Sequence, residues 1–358
     1  MNITIFIGGL SGGGAERVVC NLSNFLSARH NVTVLTMSND TPAYQLNRNV
    51  KRVSLIKNRE SNNFIGKNFK RIIRFQNYIK NADADVYLVM LPGTINIMLA
   101  HRNLIKVPVI VSERCDPQAR YESSKLRKWL MKKLYPKAEG FVFQTKDAMS
   151  YYSEIIRNRG IVIPNAINHE FVRESFKGKR KKRIVSVGRF TDQKNFKLLI
   201  KAFSRITDKY PDYDLIIYGN GPQKNQLVSL VKELKLENKV MFPGYVEKIG
   251  DHIIDASLFV LPSNYEGMPN ALMEAMALGL PSISTDCPVG GPNFLINDKE
   301  NGLLVPVNEV EKLSNAMEKI LSNEAFAFRI GENARNISET LNSDIIYGQW
   351  ESYIKEFL

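Results

Sequence analysis

The chain has 358 residues, 44% of them hydrophobic and 24% charged, with a formal net charge of +13. That is the composition of a soluble globular protein, too long for one ordinary core and sufficient for two. It excludes a bilayer-spanning class: the longest apolar stretch, Val86–Ala100, is interrupted by Pro92 and Gly93. Three widely spaced cysteines, Cys20, Cys115 and Cys287, argue against a disulfide framework or a zinc site and fit a reducing cytoplasm. The first residues enter a strand-like run with no basic leader before it, so no signal peptide is expected. The charge is uneven. Residues 1–176 hold 26 Lys and Arg against 13 Asp and Glu, whereas residues 184–358 hold 17 against 23. An anionic partner is therefore expected on the N-terminal half.

Apolar runs alternate with helical patterns along the chain. The first half contains ITIFIG, NVTVLTM, VKRVSLI, VYLVML, PVIVSE, GFVFQT and IVIPNA; the second contains RIVSVG, DLIIYG, VMFPGY, LFVLPS, PSISTD and GLLVPV. Continuous rather than alternating hydrophobicity means strands buried on both faces, hence parallel sheets covered by helices. Two α/β doubly wound domains are expected, at 1–170 and 171–343. The final amphipathic segment, about 344–358 with Trp350, is expected to pack back on the body. Ligands in open parallel sheets sit at the carboxyl ends of the strands, so those loops are where function is sought.

The first such loop runs from Gly8 to Val19, with glycines at 12, 13 and 14 before a helix. It lacks the Gly-Lys-Ser/Thr of a phosphate-binding P-loop and the fingerprint of a dinucleotide site. It reads either as a tight strand–helix turn or as a phosphate or sugar contact. Asp83 and Asp85 form a D-x-D that a metal-dependent sugar transferase would place on its nucleotide, but the pair precedes its strand, at the wrong end of the sheet. Glu113, Arg114 and Asp116 follow PVIVS. They read either as a polar loop with an internal ion pair or as residues facing a cleft.

The segment Arg120–Lys137 reads as one basic amphipathic helix. Leu126, Trp129, Leu130 and Leu134 share a face, with Arg127, Lys128, Lys132 and Lys133 around the rest. Such a helix either packs its apolar face on the sheet or lies on an anionic bilayer or polyanionic ligand. Lys67–Lys80 is a second basic segment. The run Lys177–Arg183, KGKRKKR, reads as a solvated linker edge, and the context required for nucleic acid binding is absent.

In the second half, Arg189 and Lys194 follow a strand end, placed to neutralise a diphosphate. Gly219 in YGNGP, and Tyr245 and Val246 in GYVEK, end neighbouring strands where a base pocket would form. The stretch Leu258–Pro281, LFVLPSNYEGMPNALMEAMALGLP, is the centre of the pattern. A buried strand gives way to a loop. Pro269 then stands where a first helical residue belongs, and Gly279 ends the helix. The helix start offers free N–H groups to an anion. Glu266 lies in the loop and Glu274 inside the helix, the latter roughly 7 Å along the axis from Pro269. A carboxylate beside an anion site makes sense when the ligand also carries hydroxyls, and phosphates with hydroxyls at that separation describe a nucleotide sugar.

Taken together, SGGGAER at Ser11–Arg17, SERCDP at Ser112–Pro117, IPNAIN at Ile163–Asn168, GRFTDQKN at Gly188–Asn195, YGNGP and the Glu266/Glu274 pair resemble glycosyltransferases of the large retaining family 4. The resemblance spans essentially the whole chain. It implies a GT-B fold, two Rossmann-like domains with an interdomain cleft. It further implies that Arg189 and Lys194 hold the donor diphosphate and that Glu266 contacts the donor sugar. Glu274 would accept from ribose hydroxyls. The backbone of Gly267, Met268, Pro269 and Asn270 would bind phosphate and sugar, and Gly13 and Gly14 would approach the phosphate. No metal or other cofactor is implied. One departure stands out: many relatives carry a histidine where this chain has Arg114, and arginine cannot act as a base near neutral pH. The bacterial surface-polysaccharide branch is nearest, with an undecaprenyl-diphosphate saccharide as acceptor. There Glu113, Arg114, Lys125, Lys128 and Lys132 fall on the acceptor side. A UDP-sugar donor is expected (galactose, N-acetylgalactosamine or N-acetylglucosamine), at the cytoplasmic face of the plasma membrane as a peripheral enzyme. GDP-mannose is the rival donor, and a non-catalytic membrane-docking protein is the alternative of a different class.

Overall fold

The computed structural model describes residues 1–56 and 64–358, with side chains from residue 70 onward in the second of these stretches. It divides into two compact units, Met1–Ala166 with Asp344–Leu358, and Ile167–Ser343. The break falls at 166/167 rather than after 170 because Ile167 N–H already bonds to the Leu341 carbonyl at 2.9 Å, and His169 Nε2 meets the Ser343 hydroxyl at 2.7 Å.

The first unit holds a seven-stranded parallel sheet: β1 (Asn2–Ile7), β2 (Asn31–Thr36), β3 (Val50–Ser54), β4 (Val86–Met90), β5 (Val109–Ser112), β6 (Gly140–Phe143) and β7 (Gly160–Val162). Their order is β3-β2-β1-β4-β5-β6-β7. β4, β5 and β6 are buried along their whole length, as continuous apolar runs require when helices cover both faces. Phe6, Phe75, Tyr87, Ile95, Leu99 and Phe141 belong to one core cluster on this sheet.

The second unit holds β8 (Lys181–Val187), β9 (Asp214–Tyr218), β10 (Val240–Gly244), β11 (Ala256–Leu261), β12 (Ser282–Thr285) and β13 (Leu303–Val305), ordered β10-β9-β8-β11-β12-β13. Both orders reverse direction beside the first strand of their unit, which places the loops after β1 and β4, and after β8 and β11, at topological switch points. Phe190, Phe196, Leu199, Phe203 and Leu258 belong to its core cluster.

The C-terminal helix Ser343–Lys355 returns to the first unit. Trp350 is buried, and the Tyr353 hydroxyl donates to the Arg159 carbonyl at 2.7 Å while accepting from the Phe141 N–H at 3.0 Å. Glu351 takes Arg29 at 2.7 Å, His30 at 3.1 Å and Lys355 at 2.8 Å.

The basic run Lys177–Arg183 is a solvated edge in its lysines, which are exposed, but not in Arg180 and Arg183, which are half-buried. Its last three residues open β8. Arg180 donates to the carbonyls of Ile254, Ala256 and Gly279 at 2.9, 3.0 and 2.7 Å. Arg183 and Lys181 both pair with Asp255, and Lys182 with Asp212 at 2.7 Å. The charges serve the strand ends. Asp83 and Asp85 likewise serve the strand start at the amino end of the first sheet, Asp83 exposed and Asp85 half-buried. Asp85 accepts the Asn2 N–H at 2.8 Å, and Asp83 the Asn2 side-chain amide at 3.0 Å.

Candidate functional site

In the second unit the loops after β8 and β11 are sewn together. Asn195 adopts a left-handed conformation (φ 44) and caps the helix Phe196–Ser204; asparagine tolerates this region through its short polar side chain. Its amide donates to Asn264 Oδ1 at 2.8 Å. Asn264 N–H bonds to the Gln193 carbonyl at 2.8 Å, and its side chain to the Asp192 carbonyl at 2.8 Å. Gln193 donates to the Tyr265 carbonyl at 3.1 Å and reaches Glu266 Oε2 at 3.4 Å.

The result is that Lys194 Nζ meets Glu266 Oε1 at 2.5 Å, with Glu266 only 5% exposed. The Ser263 hydroxyl donates to the same oxygen at 2.7 Å, and the Thr285 hydroxyl fixes the Ser263 carbonyl at 2.5 Å. Lys194 and Glu266 thus form an ion pair between the two residues expected at the donor's phosphate and sugar. The crossing of two loops brings them together, and a largely buried pair of this kind holds both side chains in one geometry. Arg189, on the same loop as Lys194, is exposed, and its guanidinium has no side-chain partner among the described residues.

The helix Asn270–Ala277 follows directly. Pro269 precedes it instead of being its first residue, and no side chain caps this N-terminus. Glu274 lies within the helix, 6% exposed. The helix closes through Leu278 into Gly279 at φ +72, a left-handed end that glycine adopts without penalty. Met268 and Pro269 are buried, and Gly267 and Asn270 are half-buried. The Cys287 thiol is buried nearby; burial first, then the charge of Glu266, push it up to about 12, which leaves it protonated and unreactive.

Gly219 sits at φ +130, where a Cβ would run into the Gly188 carbonyl oxygen. Close backbone packing between the loops after β8 and β9 thus explains this glycine. Tyr245, past the end of β10, is 77% exposed, and Val246 is half-buried.

In the first unit, Gly13 precedes the helix Gly14–Leu26. A Cβ at Gly13 would run into the Glu16 carboxylate, so that side chain folds back over the helix start, where an acidic group is favoured by the macrodipole.

Glu113 and Arg114 part company, and neither an internal ion pair nor an exposed loop describes them. Glu113 is buried. Its Oε2 accepts from the hydroxyls of Tyr121, Tyr135 and Tyr152 at 3.0, 2.7 and 2.9 Å, and its Oε1 from the Cys115 thiol at 3.4 Å. Asp116 is a helix cap, accepting from the N–H groups of Gln118 and Ala119. Arg114 Nη1 donates to Asn165 Oδ1 at 2.7 Å, an oxygen that also takes Gln144 at 2.9 Å. The tyrosine hydroxyls around a single carboxylate are the feature that the sequence reading missed. They come from residues 8, 22 and 39 positions away, and no local pattern joins them.

The segment expected as one basic helix is two, Pro117–Tyr121 and Lys125–Leu134, the second capped by the Ser124 hydroxyl. Met131 and Leu134 face the core, whereas Leu126 and Trp129 are 64% and 53% exposed. The expectation that Leu126 and Trp129 share one face with Leu134 is thus corrected: the helix turns a second apolar strip outward. Lys125, Arg127, Lys132 and Lys133 are exposed around that strip. Lys133 Nζ lies 4.9 Å from the Trp129 ring centroid, and Lys128 pairs with Glu122 at 2.6 Å. In the second basic segment, Lys67 lies outside the residues whose side chains are described, and Lys70 is exposed.

Residues 12–171 match the family described as Glycosyltransferase Family 4, and residues 168–337 match Glycosyl transferases group 1. The chain is 26% identical over 349 residues to an uncharacterized glycosyltransferase of Haemophilus influenzae, covering 96% of this chain and 97% of that one. It is 27% identical over 360 residues to an alpha-1,4-N-acetyl-D-galactosaminyltransferase of Campylobacter jejuni, covering 99% of each. Among solved structures, HepE of Anabaena in complex with UDP and glucose superposes with a TM-score of 0.85 at 16% identity, over 99% of this chain and 100% of that one.

Proposed function

The chain belongs to the glycosyltransferases of Family 4 and group 1 and is a sugar transferase of the GT-B fold; from that premise we propose that it moves a hexose or N-acetylhexosamine from a UDP-sugar to an undecaprenyl-diphosphate-linked saccharide, with retention, in the synthesis of a bacterial surface polysaccharide (O-antigen, capsule or exopolysaccharide). The observation that carries the reading is the assembly in the second unit. An uncapped helix start at Asn270 follows the loop that carries Glu266 of the Lys194–Glu266 pair, with Glu274 buried in the same helix and Arg189 exposed on the loop that carries Lys194. Arg189 and the helix N–H groups take the diphosphate, Glu274 takes ribose hydroxyls, and Glu266, held by Lys194 and Ser263, is fixed toward the sugar. The bond from the anomeric carbon to the diphosphate breaks, and the bond to the acceptor oxygen forms on the same face. The acceptor's proton passes to the departing phosphate. Cations and the helix start supply the charge stabilisation, so no metal is required.

The acceptor class is supported by two Campylobacter jejuni relatives whose names specify undecaprenol-diphosphate-linked saccharides and transfer of N-acetylgalactosamine. A relative from Erwinia amylovora is named for amylovoran biosynthesis. The exposed strip Leu126–Trp129, ringed by Lys125, Arg127, Lys132 and Lys133, supports peripheral docking on an anionic bilayer, with Lys128 on the same helix toward the acceptor. Lys125 and Arg127 stand in the first helical turn, where cations oppose the macrodipole. Their placement is accounted for by an external anionic surface, which at the cytoplasmic face of the plasma membrane is also where the acceptor lies.

A thermal-shift panel of UDP- and GDP-sugars with EDTA present, followed by a transfer assay on a lipid-linked saccharide, tests the reading. Stabilisation by UDP-sugars and transfer in EDTA are expected. Stabilisation by GDP-mannose alone reassigns the donor, strict metal dependence overturns the charge assignment, and binding without transfer returns the chain to a docking role.

A further inference from the structure

Arg114 lies two residues past β5, and its surroundings are unlike those of Arg180 and Arg183. Arg180 fills its guanidinium with three carbonyls, and Arg183 pairs with Asp255. Arg114 has one hydrogen bond, from Nη1 to Asn165. Its Nε and Nη2 are both enclosed and without a partner; among the described residues it is the arginine with two such nitrogens. Its neighbour Glu113 is committed to three tyrosines. The guanidinium instead lies over the indole of Trp350, 5.3 Å from the ring centroid. Burial pushes it down to about 10, with Tyr347 the one group that opposes this. Tyr347 also feels Arg17, on the helix that the glycine loop opens, so two cations converge on this end of the first unit.

A buried charge lacking a counter-ion is strongly disfavoured. Moreover, Nε and Nη2 form the side-on edge of the guanidinium, the fork that grips a carboxylate or phosphate through two parallel bonds. Asn165 holds the opposite corner and leaves that edge unused. We infer that Arg114 is an oxyanion-binding residue: its Nε–Nη2 edge takes phosphoryl oxygens of a diphosphate-bearing substrate, and the guanidinium turns off the Trp350 ring to reach them. The inference rests on the transferase reading above, in which the nucleotide donor and the lipid-linked acceptor both carry a diphosphate.

The chain has two tryptophans, so in a Trp129→Phe background tryptophan emission reports Trp350 alone. Titration with inorganic pyrophosphate is expected to change that emission saturably. Arg114→Met in the same background is expected to abolish the change, and Arg114→Lys, which keeps the charge and loses the fork, to weaken binding about tenfold or more. A silent titration, or equal binding by either variant, overturns the inference; if Arg114→Met melts without a folding transition, the Lys variant decides. Steady-state kinetics of Arg114→Lys identifies the source. A raised KM for the lipid-linked saccharide alone assigns the oxyanion to the acceptor, a raised KM for the nucleotide sugar alone assigns it to the donor, and no change in either overturns the inference. Arg114-dependent pyrophosphate binding in a chain that transfers no sugar sustains the anion site and sinks the transferase reading instead.

Discussion

Each unit buries a glutamate at the carboxyl end of its sheet, and the two are satisfied in opposite ways. Glu266 takes a cation, Lys194, with Ser263 and Gln193 filling in. Glu113 stands next to a cation in sequence and ignores it, accepting three tyrosine hydroxyls and a thiol. The difference decides what each region can do. An ion pair built from two loops keeps charged groups poised at a helix start. A carboxylate satisfied by phenols ties β5 to the segments that carry Tyr121, Tyr135 and Tyr152, and Arg114 has no ion-pair partner among the described residues, only Asn165. One arrangement is the centre proposed for transfer; the other is a scaffold beside a cation it does not use.

Breaking the first arrangement is expected to have the largest effect on activity. Lys194→Ala and Glu274→Ala should each reduce transfer by roughly a hundredfold to a thousandfold or more, the scale of losing a preorganised charge at such a centre. Their melting temperatures should change much less. Full activity in either variant, measured with the donor in excess, would remove these residues from the site.

Breaking the second should act on stability first. Glu113→Ala removes the shared acceptor of three buried hydroxyls: Tyr121 and Tyr135 keep each other at 2.6 Å, whereas Tyr152 loses the carboxylate, at about 1–3 kcal/mol for an unsatisfied group. The melting temperature should then fall by several degrees at roughly 2–4 °C per kcal/mol. Tyr152→Phe, which removes one donor and leaves the carboxylate served by two others, should cost about 1 kcal/mol. Equal melting temperatures for wild type and Glu113→Ala would show that the tyrosine cluster is not a scaffold.

A smaller effect is expected outside both centres. Trp129→Ala should weaken co-sedimentation with anionic vesicles by about tenfold, since burying an aromatic side chain contributes on the order of 1.5–3 kcal/mol. Raising the salt should weaken wild-type binding further. Unchanged binding in Trp129→Ala would take the outward strip out of any docking surface.

The smallest effect concerns the thiol beside Glu266. Burial and that carboxylate raise the folded-state value of Cys287 from the ordinary 9.0 to about 12. The folded protein then holds a proton that the unfolded chain releases, so this group subtracts stability as pH rises from 9 toward 12 and is neutral below. At pH 8.5 iodoacetamide should leave Cys287 unmodified in the native protein, and Glu266→Gln should speed its alkylation modestly. Rapid alkylation of the native wild type would show that the thiol is neither buried nor held protonated.

Much of this molecule is written locally. Among the described residues each strand overlaps an apolar run visible in the chain, most fully in the central β4, β5 and β6, which are buried along their length. The helix starting at Asn270 is announced by Pro269 and closed at Gly279 by residues whose backbone preferences travel with them. Glu266, Glu274, Arg189 and Lys194 are legible as a set because they follow strand ends, where an open parallel sheet puts its ligands. What the chain order could not reveal is how buried charges find partners. Lys194 and Glu266 are 72 residues apart, and their pairing exists only because two loops cross. In the run from Lys177 to Arg183 the lysines are exposed charge, as the composition suggests, but Arg180 and Arg183 are half-buried against three carbonyls and Asp255 brought to them by the strand ends. The basic helix has the same composition whether its apolar residues face the sheet or the solvent, and only packing placed Leu126 and Trp129 outward. Hydrophobic periodicity is a property of neighbouring residues and fixes secondary structure where it stands. The partner of a desolvated charge is whatever the topology carries within hydrogen-bond reach, and that was decided by the fold.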